Sequence, residues 1–137
     1  MLDPTYTYMS ASTIERRNQR SSIPWEAAGF LLRHVARESG LGDMVLATDE
    51  GLLIAAAEDR RQAERVAALG PLAARGPEAV DPALAFKITG GRPIQTYPVQ
   101  VRGRRFHVVG LGRPTALRRD VQAALDRIFA RRSDLQN

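Results

Sequence analysis

The chain predicts an α/β domain whose sheet has helices on its two sides, in the order helix, two strands, helix, three strands, helix. Three observations carry that expectation. Segments with apolar residues at helical spacing alternate with short apolar runs. The runs are separated by turn signals at Asp49-Glu50-Gly51, Gly90-Gly91 and Arg102-Gly103. The first two runs, Met44–Thr48 and Leu52–Ala57, do not alternate with polar residues, so both of their faces call for cover.

In chain order, residues 1–22 are polar, rich in Ser and Thr and without sustained apolar periodicity, so they read as a flexible N-terminal extension. The domain is expected over residues 23–132. Its first helix runs from Pro24 to Ser39, with Pro24 in the first turn, Ser22 as cap and Gly40 closing the end. Ala28, Leu31, Leu32 and Val35 form its apolar face. The first hairpin follows.

A second helix is expected over Glu58–Ala74, its acidic start matched to the helix dipole. Its apolar positions include Ala63, Val66, Ala67 and Leu69, mostly small, so another backbone can approach closely. Gly70-Pro71 is expected to kink or shorten it. Leu84–Thr89 alternates Leu84, Phe86 and Ile88 with smaller or polar residues and reads as a strand. Ile94–Val101 and Arg104–Leu111 form a hairpin about Arg102-Gly103, in a register that sets Val99 opposite Phe106 and Tyr97 opposite Val108. Pro98 lacks an N–H, so it belongs at a bulge or facing outward. The last helix runs from Ala116 to about Arg131, with Thr115 as N-cap and residues 133–137 fraying.

The 137 residues carry 44% hydrophobic and 26% charged side chains, which suits one folded domain. The absence of cysteine excludes disulfides and thiolate chemistry. No apolar run reaches the roughly 18–20 residues of a membrane span, and no signal-peptide core follows the start, so a cytoplasmic protein is expected. Net charge is +5, with +6 concentrated in residues 102–137. Nearly all of the 20 basic residues are Arg, the exception being Lys87.

Catalytic, metal and cofactor sites are not expected. His34 and His107 lie on different elements without metal-ligand spacing. Asp49 and Glu50 suit a turn better than acid–base work. Gly90-Gly91 and Gly110-Leu111-Gly112 complete no phosphate-binding signature. The arginines of the last helix spread around its circumference with no stacking aromatics between them. That argues against a nucleic-acid groove, although a basic nucleic-acid module stays an alternative, as does a small-molecule sensor domain.

The element order, together with the stretch ESGLGDMVLATDEGLLIAAA, resembles the roadblock / dynein light-chain family over about residues 24–131. The resemblance implies a five-stranded antiparallel sheet, with the first and last helices on one face and the second helix on the other. It also implies a homodimer made by pairing second helices and joining edge strands. The small apolar face agrees, giving Ala63, Val66, Ala67, Leu69, Leu84, Phe86 and Ile88 as the expected interface. The resemblance further implies a non-catalytic, bacterial-type regulator or scaffold of a small Ras-like GTPase, with no nucleotide site of its own.

Overall fold

A computed structural model of the chain describes residues 23–130. The expected extension over residues 1–22 and the expected frayed end over 133–137 lie outside them. Helix α1 spans Pro24–Ser39, β1 Gly42–Thr48, β2 Leu53–Ala56 and α2 Arg60–Arg75. A short 3-10 turn at Pro77–Ala79 leads to α3, Pro82–Thr89; then come β3, Ile94–Val101, β4, Arg104–Leu111, and α4, Val121–Ile128. The strands form one antiparallel sheet in the order β2-β1-β4-β3.

Helix α1 ends as its sequence dictates. Gly40 takes a left-handed conformation, φ 77°, and donates its N–H to the Ala36 carbonyl at 2.9 Å. At its start Ile23, not Ser22, occupies the cap position, with Pro24 in the first turn. The β1–β2 turn falls where expected: Thr48 N–H donates to Leu52 O at 2.9 Å, and Leu52 N–H donates to the Thr48 hydroxyl at 3.0 Å. Helix α2 begins behind Asp59, whose carboxylate accepts the Gln62 N–H. Pro71 sits inside α2 without ending it, which corrects the expected shortening. Its ring is buried, and packing holds the helix through the missing hydrogen bond.

The sheet has four strands among the described residues, not five. Leu84–Thr89 is part of helix α3, which corrects the expected strand. Local chemistry explains the difference. Pro82 is preset for the first helical turn, Ala83, Leu84 and Lys87 are good helix formers, and Gly90, φ 66°, closes the helix through Phe86 O at 2.8 Å. Alternation over six residues is a weaker signal than a proline start and a glycine stop. The last helix is also shorter than expected, starting at Val121. Arg118 folds onto Asp120 with two hydrogen bonds of 2.8 and 2.7 Å, and Tyr97 donates its hydroxyl proton to Thr115 O. These contacts hold residues 115–120 in an irregular approach, with Asp120 in the cap position that Thr115 was expected to fill.

The β3–β4 hairpin has the expected register, with Val101 opposite Arg104, Val99 opposite Phe106 and Tyr97 opposite Val108. Arg102 and Gly103 both have positive φ, 53° and 77°, the primed turn that matches strand twist. Gln122 of α4 accepts the Gln100 N–H at 2.9 Å and donates to the Gln100 carbonyl at 2.7 Å. Gln100 therefore turns its backbone outward, and Pro98, two residues away, faces the same way.

Helices cover both faces. On one, Ala28, Leu32 and Val35 of α1 and Val121 and Leu125 of α4 pack on Met44, Leu46 and Val108. On the other, Ala63, Val66 and Ala67 of α2 pack on Val45, Ala47, Val109 and Leu111, with Ile88 of α3 at the margin.

Candidate functional site

The expected interface residues divide. Ala63, Val66, Ala67 and Leu69 are all at most 3% exposed, and the first three pack against the chain's own sheet. At the neighbouring Gly70, α2 lies close on β4. A Cβ added to Gly70 would lie 2.4 Å from Cγ2 of Val109. Leu84 and Phe86 are exposed on a helix, and Ile88 is partly buried in the α2-side core, so these three do not form an edge strand. The surface that α2 leaves open carries Arg61, Glu64, Arg65, Ala68 and Leu72.

The histidines have different settings. His34 is exposed and lies 3.4 Å from Glu38 one turn on. His107 is 4% exposed in the middle of β4, with Nε2 2.7 Å from the Asp49 carboxylate. Its Nδ1 is buried without a hydrogen-bond partner. The contact ties the β1–β2 turn to β4, a structural use of Asp49 that fits the turn reading. The hydrogen bond with His107 holds the Asp49 carboxyl below its usual range; desolvation opposes this, and the charges of Arg105 and Arg75 assist. No group of three or more His, Cys, Asp or Glu suited to a metal ion occurs among the described residues.

The glycine pairs serve the backbone. Gly90 and Gly91 both have positive φ and turn the chain from α3 toward β3. Gly110 lets Leu41 and Met44 close on β4, since its added Cβ would meet them at 3.0 to 3.2 Å. The basic surface is dispersed: Arg102, Arg104 and Arg105 are exposed at the β3–β4 turn end, while Arg113 and Arg119 lie beyond the other end of β4.

An open feature that the residue pattern did not single out is a groove of about 360 Å³ between α1 and the edge strand β2. Trp25 and Phe30 stand along it, 58% and 56% exposed. Glu26 and Glu58 line it with them. Arg33 donates its Nε–H to Ala57 O at 3.1 Å and lies 5.3 Å from the Phe30 ring centre. Gly29 lets α1 sit close over β2, its would-be Cβ 3.0 Å from Ala56 O. One signal in the sequence points here: Phe30 falls on the side of α1 opposite Ala28, Leu32 and Val35.

No family model, curated protein or solved structure matches the chain. Among the described residues no helix is long and apolar enough to cross a membrane.

Proposed function

We propose that the chain is a non-catalytic binding module that acts on a small Ras-like GTPase as a regulator or scaffold. The observation that carries this reading is the layer plan. An antiparallel sheet opens with a hairpin turned by Asp49-Glu50-Gly51; the first and last helices lie on one face and the second on the other. That is the arrangement implied by the resemblance to the roadblock / dynein light-chain family. The departure is α3, which stands where that layout has a third strand.

A module of this kind works through differential affinity. It shifts its client's equilibrium only by binding one nucleotide state more tightly than the other. The test is calorimetry against small GTPases of the same genome, each loaded with GDP or a non-hydrolysable GTP analogue. The expected result is binding to one client with a clear preference for one state. Equal affinity for both states leaves a scaffold. No binding to any GTPase, with salt-sensitive binding to DNA or RNA, transfers the function to the basic surface instead.

A further inference from the structure

We infer that the groove between α1 and β2 is filled by the chain's own segment Thr5–Met9, which adds to β2 as an outer strand and lays Tyr6 and Tyr8 against Trp25 and Phe30. The two edges of the described sheet differ. The β3 edge is closed: Pro98 has no N–H to offer, and the Gln122 side chain takes both the N–H and the carbonyl of Gln100. The β2 edge is open. Leu53–Ala56 carries no charge and no proline, the devices that keep an edge from pairing. Ala57 N–H bonds Met44 O at 2.9 Å, so the N–H of the preceding residue, Ala56, turns away from β1 toward the groove. Trp25 and Phe30, each more than half exposed, stand beside this edge.

Connectivity selects the occupant. Residues 1–22 join the described domain at Ile23, two positions before Trp25. The link from Met9, residues 10–22, spans up to roughly 43 Å at about 3.3 Å per residue. The stretch of α1 that borders the groove, Trp25 to Arg33, is only about 12 Å long. Thr5–Met9 therefore reaches the whole groove in either strand direction. A segment joined to its site in this way meets it at an effective concentration on the order of 1 mM, far above that of a second copy or a separate peptide in dilute solution.

The residues of the segment fit. Thr5-Tyr6-Thr7-Tyr8 alternates two β-favouring residue types, and its tyrosines are the only aromatic residues within 1–22. In a strand Tyr6 and Tyr8 share one face, so both meet the same wall of the groove. The lining carries two Glu and two Arg, Glu26, Glu58, Arg33 and Arg60, which together ask for no net charge in the occupant; Thr5–Met9 has none. Strand addition takes its affinity from main-chain bonds, here with the outward Ala56 N–H, and its selectivity from alternate side chains.

Two measurements on the full-length chain test this. Trp25 is the only tryptophan, so quenching of its emission by acrylamide reports on the groove, and hydrogen exchange at the Ala56 amide reports on the edge. In the wild type Trp25 should be shielded and Ala56 should exchange slowly, both independently of protein concentration. Tyr6→Ser combined with Tyr8→Ser should speed Ala56 exchange by about tenfold or more and raise Trp25 quenching roughly twofold, while the Val108 amide at the centre of the sheet keeps its protection. Phe30→Ser, a change on the groove side at an exposed position, should likewise release Ala56. Ile14→Ser, outside the segment, should change neither reading.

Fast Ala56 exchange with an unshielded Trp25 in the wild type overturns the inference. Protection that grows with protein concentration also overturns it and makes a second copy the occupant. Protection that survives the double tyrosine change, or that Ile14→Ser removes, overturns it in favour of another part of residues 1–22. No GTPase enters these measurements, so their outcome is independent of the proposed client.

Discussion

The two faces of the sheet are filled in opposite ways. Under α1 and α4 the core is made of long side chains, with Leu32, Met44, Leu46 and Leu125 all buried to within 1%. Under α2 the helix supplies short ones, Ala63, Val66 and Ala67, against Val45, Ala47, Val109 and Leu111 of the sheet. Gly70 brings the α2 backbone directly onto Val109. The two helices on one face contribute mostly long side chains, with α1 approaching the β2 backbone at Gly29, and the one helix on the other face contributes mostly short ones. A stripe of small residues thus reports how closely a backbone approaches but not which backbone it is. Here the backbone that Ala63, Val66 and Ala67 lie against is that of the chain's own sheet.

The difference is broken most severely by Ala67→Arg. Ala67 has no exposed surface and packs in the core between α2 and the sheet, so the guanidinium has neither room nor partner. An unpaired buried charge costs about 3–5 kcal/mol, a large share of the roughly 5–15 kcal/mol of a typical domain, so the urea midpoint should fall sharply. Urea unfolding followed by circular dichroism measures this. A fully stable variant that only lost self-association would show instead that this side of α2 is an interface between copies.

Truncation and overpacking should then separate the faces. Leu125→Ala, on the side of long side chains, leaves a cavity and should cost about 3 kcal/mol. Gly70→Ala, on the side of short ones, adds a single methyl that would meet Val109, and should cost about 1–3 kcal/mol despite the helix-favouring change. Val109→Ala in the Gly70→Ala background should recover part of that loss, because it removes the γ-carbons that the new methyl strikes. Thermal melts of the two single variants and the double one provide the check. Additive losses would mean that the two positions do not touch.

What the residues disclosed follows the strength of the local chemistry. The β3–β4 hairpin was legible to the register, because a two-residue turn at Arg102-Gly103 and paired apolar positions all specify one alignment. Helix α1 was legible through Pro24 and Gly40. Segment 84–89 was misread because its alternation is also what a short helix with Leu84 and Phe86 exposed looks like. The start of α4 was lost to Arg118, whose bonds to Asp120 and reach to Glu38 no periodicity encodes. The groove was hidden for a different reason. It is made by α1 meeting β2, and only a tertiary contact, Gly29 over Ala56, sets Trp25 and Phe30 beside an open edge.

The smallest effect tests where acid acts. On β4, His107 shares the side of Val109 and Leu111, so the one buried histidine belongs to the α2 face. Its partner Asp49 is about half exposed, and Asp49→Asn keeps an oxygen facing His107, so the variant should lose little at neutral pH. The signature is in the pH dependence. In the folded chain the hydrogen bond with His107 keeps the Asp49 carboxyl ionised below its ordinary value of 3.8, whereas in the unfolded chain the group takes up its proton near that value. Below 3.8 the unfolded state therefore binds more protons, and stability falls as the pH drops through the folded pKa; above 3.8 the contribution is present in full. Asp49→Asn should flatten the decline in urea midpoint between about pH 4 and 2. Asp120, lowered by its hydrogen bond with Arg118, contributes a second part of that decline, which Asp49→Asn leaves in place. Leu125→Ala should shift the whole curve downward without changing its acid slope. An Asp49→Asn curve parallel to that of the wild type would show that the His107 contact confers no acid sensitivity on the α2 face.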